Sequence, residues 1–251
     1  MIYFLLPAYN EEKNVELQLE NIRRQMNGQE FSIIVVSDGS TDRTIEKIHH
    51  YKNLTDLNIS VINFSKNLGV GIAFKAGFMK LIEFIKTEDI VVTMDFDNTQ
   101  SVKTINLMLS KIKEGYEVVN GSVFTMGGRV IGIPFSRLIL SYICNFLYCI
   151  MFYIKGIHDF TGFFKAFSGY ALKKLYERFG TNIIESTGFA VMAELLIKCR
   201  SIPLFITEVP MFVRYDAKKG KSKIKILPTI YQHVKIIIKY GILRRNIFFS
   251  S

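Results

Sequence analysis

Ile90–Gln100 reads I-V-V-T-M-D-F-D-N-T-Q, an apolar strand over Ile90–Met94 that breaks off into two carboxylates, Asp95 and Asp97. In extended chain, residues i and i+2 project to the same side, so both acids face one way. Neighbouring carboxylates repel each other unless a cation lies between them. Hard oxygen ligands at a strand end suit Mg²⁺ or Mn²⁺, ions that keep contact with phosphate groups. Alone, such a D-x-D is better read as a solvated turn, since Asp and Asn are common turn residues. The order of everything around it points instead to a site for a metal carrying a diphosphate.

On the N-terminal side, three more strands are expected, at Ile2–Leu6, Phe31–Val36 and Ile59–Asn63. Each runs into a polar cluster and then a helical pattern. The clusters are Pro7-Ala8-Tyr9-Asn10-Glu11-Glu12, Ser37-Asp38-Gly39-Ser40-Thr41-Asp42 and Lys66-Asn67-Leu68-Gly69, with Asn10 placed to cap the first helix. A helix over Ser101–Glu114 and a fifth strand at Val118–Gly121 follow. Strand–helix alternation implies right-handed crossovers and an α/β fold with a mainly parallel sheet flanked by helices. Ligands on such sheets bind beyond the carboxyl ends of the strands, where all these clusters lie. The turn after the first strand is not G-x-G-x-x-G, and no G-x-x-x-x-G-K-[ST] loop is present. Dinucleotide oxidoreductases and P-loop NTPases are thereby excluded.

The chain has 251 residues, 49% of them hydrophobic, enough for a full core. Its formal charge of +10, from 32 basic and 22 acidic residues, calls for an anionic partner. No helix-turn-helix, zinc finger or RNP-type motif accompanies that charge, so nucleic acid is not expected. Cys144, Cys149 and Cys199 lack metal-ligand spacing and read as buried thiols of a reducing compartment. The apolar N-terminus, without a basic flank or a small-residue cleavage site, reads as the first strand rather than a signal peptide.

Past Thr125 the composition shifts. Gly127-Gly128-Arg129 and Gly132-Ile133-Pro134 form a glycine-rich basic loop, and Leu138–Ile154 then runs 17 residues without a charge. That is short of the roughly 20 residues of a spanning helix. Arg137, Ser141, Asn145 and Tyr148 make one polar stripe along it, which fits either a core helix or one lying in a membrane interface. His158–Lys165, H-D-F-T-G-F-F-K, precedes two further helices, and Leu204–Val213 reads as a strand interrupted by Pro210. The basic run Arg214–Lys223, R-Y-D-A-K-K-G-K-S-K, reads as a mobile clamp for a diphosphate or a lipid headgroup. It leads to a helix over Ile226–Tyr240 bearing Lys235 and Lys239. Residues 1–225 are expected to form one domain that includes the apolar helix 136–154, with 226–251 a basic amphipathic helix and tail.

Taken in order, P-A-Y-N-E-E, V-V-S-D-G-S-T-D, N-L-G-V-G-I-A-F-K-A-G, M-D-F-D-N-T-Q, N-G-S, D-F-T-G-F-F-K and R-Y-D-A-K-K-G-K-S-K resemble the family 2 glycosyltransferases of the GT-A fold, in the polyprenyl-phosphate mannose synthase branch. The resemblance implies a nucleotide-sugar site made by Pro7, Tyr9, Asn10, Glu11, Val36, Asp38, Lys66, Asp95, Phe96, Gln100 and Arg129. It implies Mg²⁺ or Mn²⁺ on Asp95 and Asp97, and catalysis by Asp97 with Arg214 and Lys223 closing over the donor phosphates. Arg137 and Ser141 are implied at the lipid phosphate. Two departures stand out. Val123 replaces the arginine that often follows N-G-S, leaving Arg129 as the substitute charge. Gly162, Phe163 and Lys165 stand where the family motif has serine, glycine and arginine.

The expected activity is inverting transfer of a sugar from a nucleotide-diphosphate sugar to a polyprenyl monophosphate, on the cytoplasmic face of an anionic membrane surface to which the protein binds peripherally. A phosphate acceptor has its second pKa near ~6 and arrives ionised, so no general base is required. The alternative, a soluble relative acting on a sugar hydroxyl, needs a carboxylate base such as Asp159 or Glu194. A third reading is a catalytically idle scaffold, against which the intact Asp95 and Asp97 argue.

Overall fold

The computed structural model describes residues 1–220 and 225–247, with side chains through Ile242. Four parallel strands, β1 (Ile2–Ala8), β2 (Phe31–Ser37), β3 (Ile59–Asn63) and β4 (Ile90–Thr93), lie in the order β3-β2-β1-β4. They alternate with helices α1 (Val15–Gln25), α2 (Thr44–Thr55) and α3 (Val70–Ile82), and α4 (Thr104–Lys113) follows β4. Period-2 alternation along the strands sends Leu5, Ile34, Val36 and Val91 to one core, with Phe74 and Phe78 of α3. Phe4, Leu6, Ile33, Val35 and Val92 go to the other, with Leu19 and Ile22 of α1.

The far half of the sheet departs from the alternating pattern. Lys165–Ser168 is a strand, β7, inserted antiparallel between β4 and β5 (Val118–Ser122), and β8 (Ile206–Pro210) closes the sheet beside β5. Four residues beginning with a lysine carry no strand signal of their own. Lys165 is fully buried nonetheless, because its Nζ bonds Asn120 Oδ1 in the neighbouring strand. The strand expected over Leu204–Val213 splits at Met211: β8 ends at Pro210, and β9 (Phe212–Arg214) pairs instead with β6 (Arg129–Ile131) in a separate two-stranded sheet.

Asn10 does not cap a helix. It takes a left-handed backbone, φ 52°, and α1 begins five residues later at Val15. Its Oδ1 accepts from the Thr41 N–H at 2.7 Å, so it ties the loop after β1 to the loop after β2.

The apolar helix is α5, Phe135–Phe152, launched by Pro134. It begins one residue before and ends two before the expected 136–154, and its 18 residues are, by length and composition alone, long and apolar enough to cross a membrane, whereas the uncharged run by itself reads as too short. Its stripe is bound to the protein. Asn145 accepts from Phe160 N–H at 2.7 Å and donates to Thr161 Oγ1 at 3.2 Å, while Tyr148 stacks on Phe160 and shares a 2.9 Å hydrogen bond with His233 Nδ1. His233 belongs to α8 (Ile226–Ile247), which also buries Ile236 and Tyr240 against the body. Between them, α6 (Gly169–Phe179) and α7 (Val191–Arg200) fill the core beneath. The three cysteines are free thiols, Cys199 buried and the other two half-buried.

Candidate active site

The loops at the carboxyl ends of β1–β4 are knitted into one rim. Asp38 accepts from the Leu68 and Gly69 N–H groups at 2.7 and 2.9 Å, so its carboxylate braces the loop after β3. Gly39 adopts φ 68°, and a Cβ there would lie 2.2 Å from the Lys66 carbonyl carbon, so only glycine allows this approach. Asn98 donates to the Asn14 carbonyl, joining the loop after β4 to the base of α1.

Within this rim stand Asp95 and Asp97. Gln100 clasps Asp95 from both ends, donating to its Oδ2 at 2.8 Å and accepting from its N–H at 3.0 Å. Burial, reinforced by the negative charge of Asp97, raises the Asp95 carboxyl to about 8, although Lys218 and Arg137 pull the other way. Asp97 Oδ1 accepts from Thr99 Oγ1 at 2.6 Å and from Thr99 N–H at 3.2 Å. Its Oδ2 receives Lys218 Nζ at 2.6 Å. Burial alone would lower the Lys218 ammonium, but the contact with Asp97 raises it above its ordinary value.

Arg137 reaches this cluster from the start of α5, its guanidinium 5.0 Å from the centre of the Tyr215 ring. Tyr215 is itself acted on by the charges of Arg137, Asp95, Asp97 and Lys218. The structure thus brings the expected lipid-phosphate arginine within electrostatic reach of Asp95, one of the two expected metal ligands, with Tyr215 beside both. Glu11 joins them electrostatically and accepts from Asn14 Nδ2 at 2.6 Å.

The other expected residues are placed as follows. Val36 and Phe96 are buried in the two cores, which leaves only their backbone to face a ligand. Pro7 is the sixth residue of β1, paired with Val36; Tyr9 follows that strand half-buried, and Lys66 is exposed on the rim. Arg129 is exposed on β6, its N–H donated to the Met211 carbonyl. Ser141 is half-buried on α5, one turn from Arg137. Arg214 is turned onto Asp216 at 2.6 Å, and Lys223 lies outside the described residues. Sequence reasoning missed Lys218, Gln18 (whose Nε2 donates to the Asp95 carbonyl), Thr99 and Tyr215. Lys218, Tyr215 and Thr99 sat in segments that drew attention, but nothing linear separates Lys218 from Lys219 beside it or marks the other two.

The donor set fits a hard divalent ion. Among the described residues no group of three or more His, Cys, Asp and Glu could form a metal cage. Two carboxylates at a rim, with the remaining positions left to diphosphate and water, are how Mg²⁺-type ions are ordinarily bound. Burial, with Asp97 beside it, opposes ionisation of Asp95, and a divalent ion on the pair would favour the carboxylate form.

A mainly parallel sheet with an acidic rim at its carboxyl edge makes this an α/β protein of the kind whose ligands bind at that edge. The chain belongs to glycosyl transferase family 2, whose model matches residues 3–176. It is 31% identical over 238 residues to a dolichol-phosphate mannosyltransferase from Pyrococcus furiosus, an overlap of 94% of this chain and 62% of that one. The chain therefore spans less than two thirds of that relative's length. To polyprenol monophosphomannose synthase from Mycolicibacterium smegmatis it is 25% identical, over 82% of this chain and 75% of the relative. Glucosyl-3-phosphoglycerate synthase from Mycobacterium tuberculosis, crystallised with Mn²⁺, UDP and phosphoglyceric acid, superposes with a TM-score of 0.66 at 18% identity, over 98% of this chain and 78% of that chain. The last is a likeness of fold, and that fold is GT-A.

Proposed function

We propose that this chain transfers a sugar, with inversion, from a nucleotide-diphosphate sugar to a polyprenyl monophosphate at the cytoplasmic face of a membrane. The observation that carries the reading is the placement of Arg137. It stands at the base of a helix with an exposed apolar face, its guanidinium lies 5.0 Å from the centre of the Tyr215 ring, and its charge acts on Asp95. A lipid phosphate held by Arg137 would keep its chain along α5 in the bilayer while its head meets the donor. Of the two sequence relatives, one is named a dolichol-phosphate mannosyltransferase and the other a polyprenol monophosphomannose synthase.

Asp95 and Asp97 would hold Mg²⁺ or Mn²⁺, and that ion supplies charge neutralisation for the departing diphosphate. The chain's own residues do the rest. Gln100 and Thr99 fix the two carboxylates, the rim loops seat the nucleotide, and Arg137 orients the acceptor's oxygen for attack.

The hydroxyl-acceptor alternative needs a general base, and both candidates are engaged. Glu194 is fully buried, 2.7 Å from Lys198, and accepts the Ser186 N–H. Asp159 is buried and accepts N–H groups of Thr161 and Gly162. A phosphate acceptor needs neither.

The test is a panel of nucleotide sugars incubated with a short-chain polyprenyl phosphate, Mn²⁺ and the protein. A lipid-linked monophosphate sugar is expected with one donor. Transfer only to soluble sugar hydroxyls would replace this reading with the alternative.

A further inference from the structure

The segment from Arg214 to Lys219 lies as a strap over the acidic pair. Its start is fixed by Arg214 N–H on the Thr99 carbonyl at 2.8 Å, and its 3-10 turn, Tyr215–Ala217, by Arg137 stacked on Tyr215. Its end is fixed by Asn14 Nδ2, which donates to the Lys219 carbonyl at 3.2 Å. Between these anchors Lys218 drops its ammonium onto Asp97 in a contact whose side chains are only 16% and 11% exposed.

The oxygen it uses matters. Asp97 Oδ1 is occupied by Thr99, through both hydroxyl and N–H, so Oδ2 is the oxygen free to ligate an ion, and Lys218 Nζ sits on it at 2.6 Å. An ammonium and a divalent ion cannot both hold that oxygen, because their like charges would meet at contact distance with little solvent between them. We propose that Lys218 is a built-in counterion that occupies the cation's place on Asp97, so that loading of a divalent ion displaces it and unlatches the strap. The displaced ammonium, on a four-carbon stem beside a newly bound diphosphate, then has that anion as its new partner. Loading order follows: ion and donor enter first, and the strap beside Arg137 loosens only afterwards, on the side where the acceptor arrives. This rests on the assignment of a cation to Asp95 and Asp97 made above.

Two readouts, neither of them turnover, test it. Hydrogen exchange over residues 214–219 of the unmodified protein should rise on adding Mn²⁺ without nucleotide. Mn²⁺ titration followed by electron paramagnetic resonance should show Lys218→Met binding the ion at least tenfold more tightly than the parent, with Lys218→Arg restored to the parent's affinity. Strap exchange that is indifferent to Mn²⁺, or a Lys218→Met affinity equal to or weaker than the parent's, overturns the latch. Asp97→Asn separates the two levels. If it abolishes Mn²⁺ binding while Lys218→Met changes nothing, the latch alone fails; if it binds Mn²⁺ as the parent does, the cation assignment fails and the latch with it. The exchange measurement needs no variant, so misfolding of a mutant cannot rescue the idea.

Discussion

Asp95 holds its proton up to about 8, against an ordinary 3.8, because burial and Asp97 both oppose its ionisation. Cation ligation requires the carboxylate, so ion uptake at pH 7 should expel a proton. Titrating Mn²⁺ into weakly buffered protein should release up to one proton per ion, and Asp95→Asn should release none. The stability effect has a definite sign: the fold keeps a proton that the unfolded chain loses between pH 4 and 8, so the metal-free protein loses stability as pH rises through that window. Thermal melts at pH 5 and 8 should show the loss, reduced by Mn²⁺. For Asp97→Ala, turnover should fall by a factor of ~10² or more, as expected when a contact to developing charge is removed. Full activity in the presence of a strong chelator would contradict the cation's role.

At the scale of elements, the seam between α5 and α8 is closed by Tyr148 and His233, and burial pushes the His233 imidazole down to about 4 from 6.5. A depressed histidine contributes stability that is whole above pH 6.5 and lost as pH falls toward 4, because the unfolded chain takes up the proton first. His233→Gln should therefore flatten the decline of Tm between pH 6.5 and 4.5; an unchanged acid limb would show that the seam does not contribute to it. The rim has its own weak point. Gly39→Ala must hold a left-handed backbone and push a Cβ against Lys66, so a loss of about 1–3 kcal/mol from the backbone alone is expected, and more from the clash. Denaturant titration measures it.

At the scale of the molecule, α5 and α8, which pack on each other, each expose a row of large apolar side chains. Tyr142, Ile143, Phe146, Leu147 and Ile150 are exposed on the first, and Leu227, Tyr231, Val234, Ile238 and Ile242 on the second. The basic character expected of α8 is only partly outward: Lys235 is exposed, whereas Lys239 is turned onto Glu185 at 2.8 Å. Membrane attachment, as we propose it, thus rests on apolar insertion from both helices, with the net charge of +10 adding headgroup attraction of about 1 kcal/mol per nearby basic residue. Sedimentation with anionic vesicles should pull down the protein at low salt and less at high salt. The pair Phe146→Glu and Leu227→Glu should stay in the supernatant with an unchanged thermal melt. If this double variant sediments like its parent, the apolar face is not what binds.

Much of this was legible in the chain. The positions of β1–β4 followed from apolar runs ended by polar clusters, because parallel strands buried on both faces must be apolar and their carboxyl ends must be solvated. Asp95 and Asp97 were visible because two adjacent acids after such a run are costly without a ligand. The stripe Arg137–Tyr148 was visible because helical spacing puts those side chains on one face. What the chain could not show are contacts between distant segments: Lys165 held in a core by Asn120, Asp38 bracing the Leu68 and Gly69 N–H groups, and Lys218 chosen from a run of lysines to meet Asp97. Local pattern determines which residues must be buried and which face water, while the partner of each buried charge is set only when the loops are brought together, since the energy of such a pair depends on distance and desolvation that no linear spacing records.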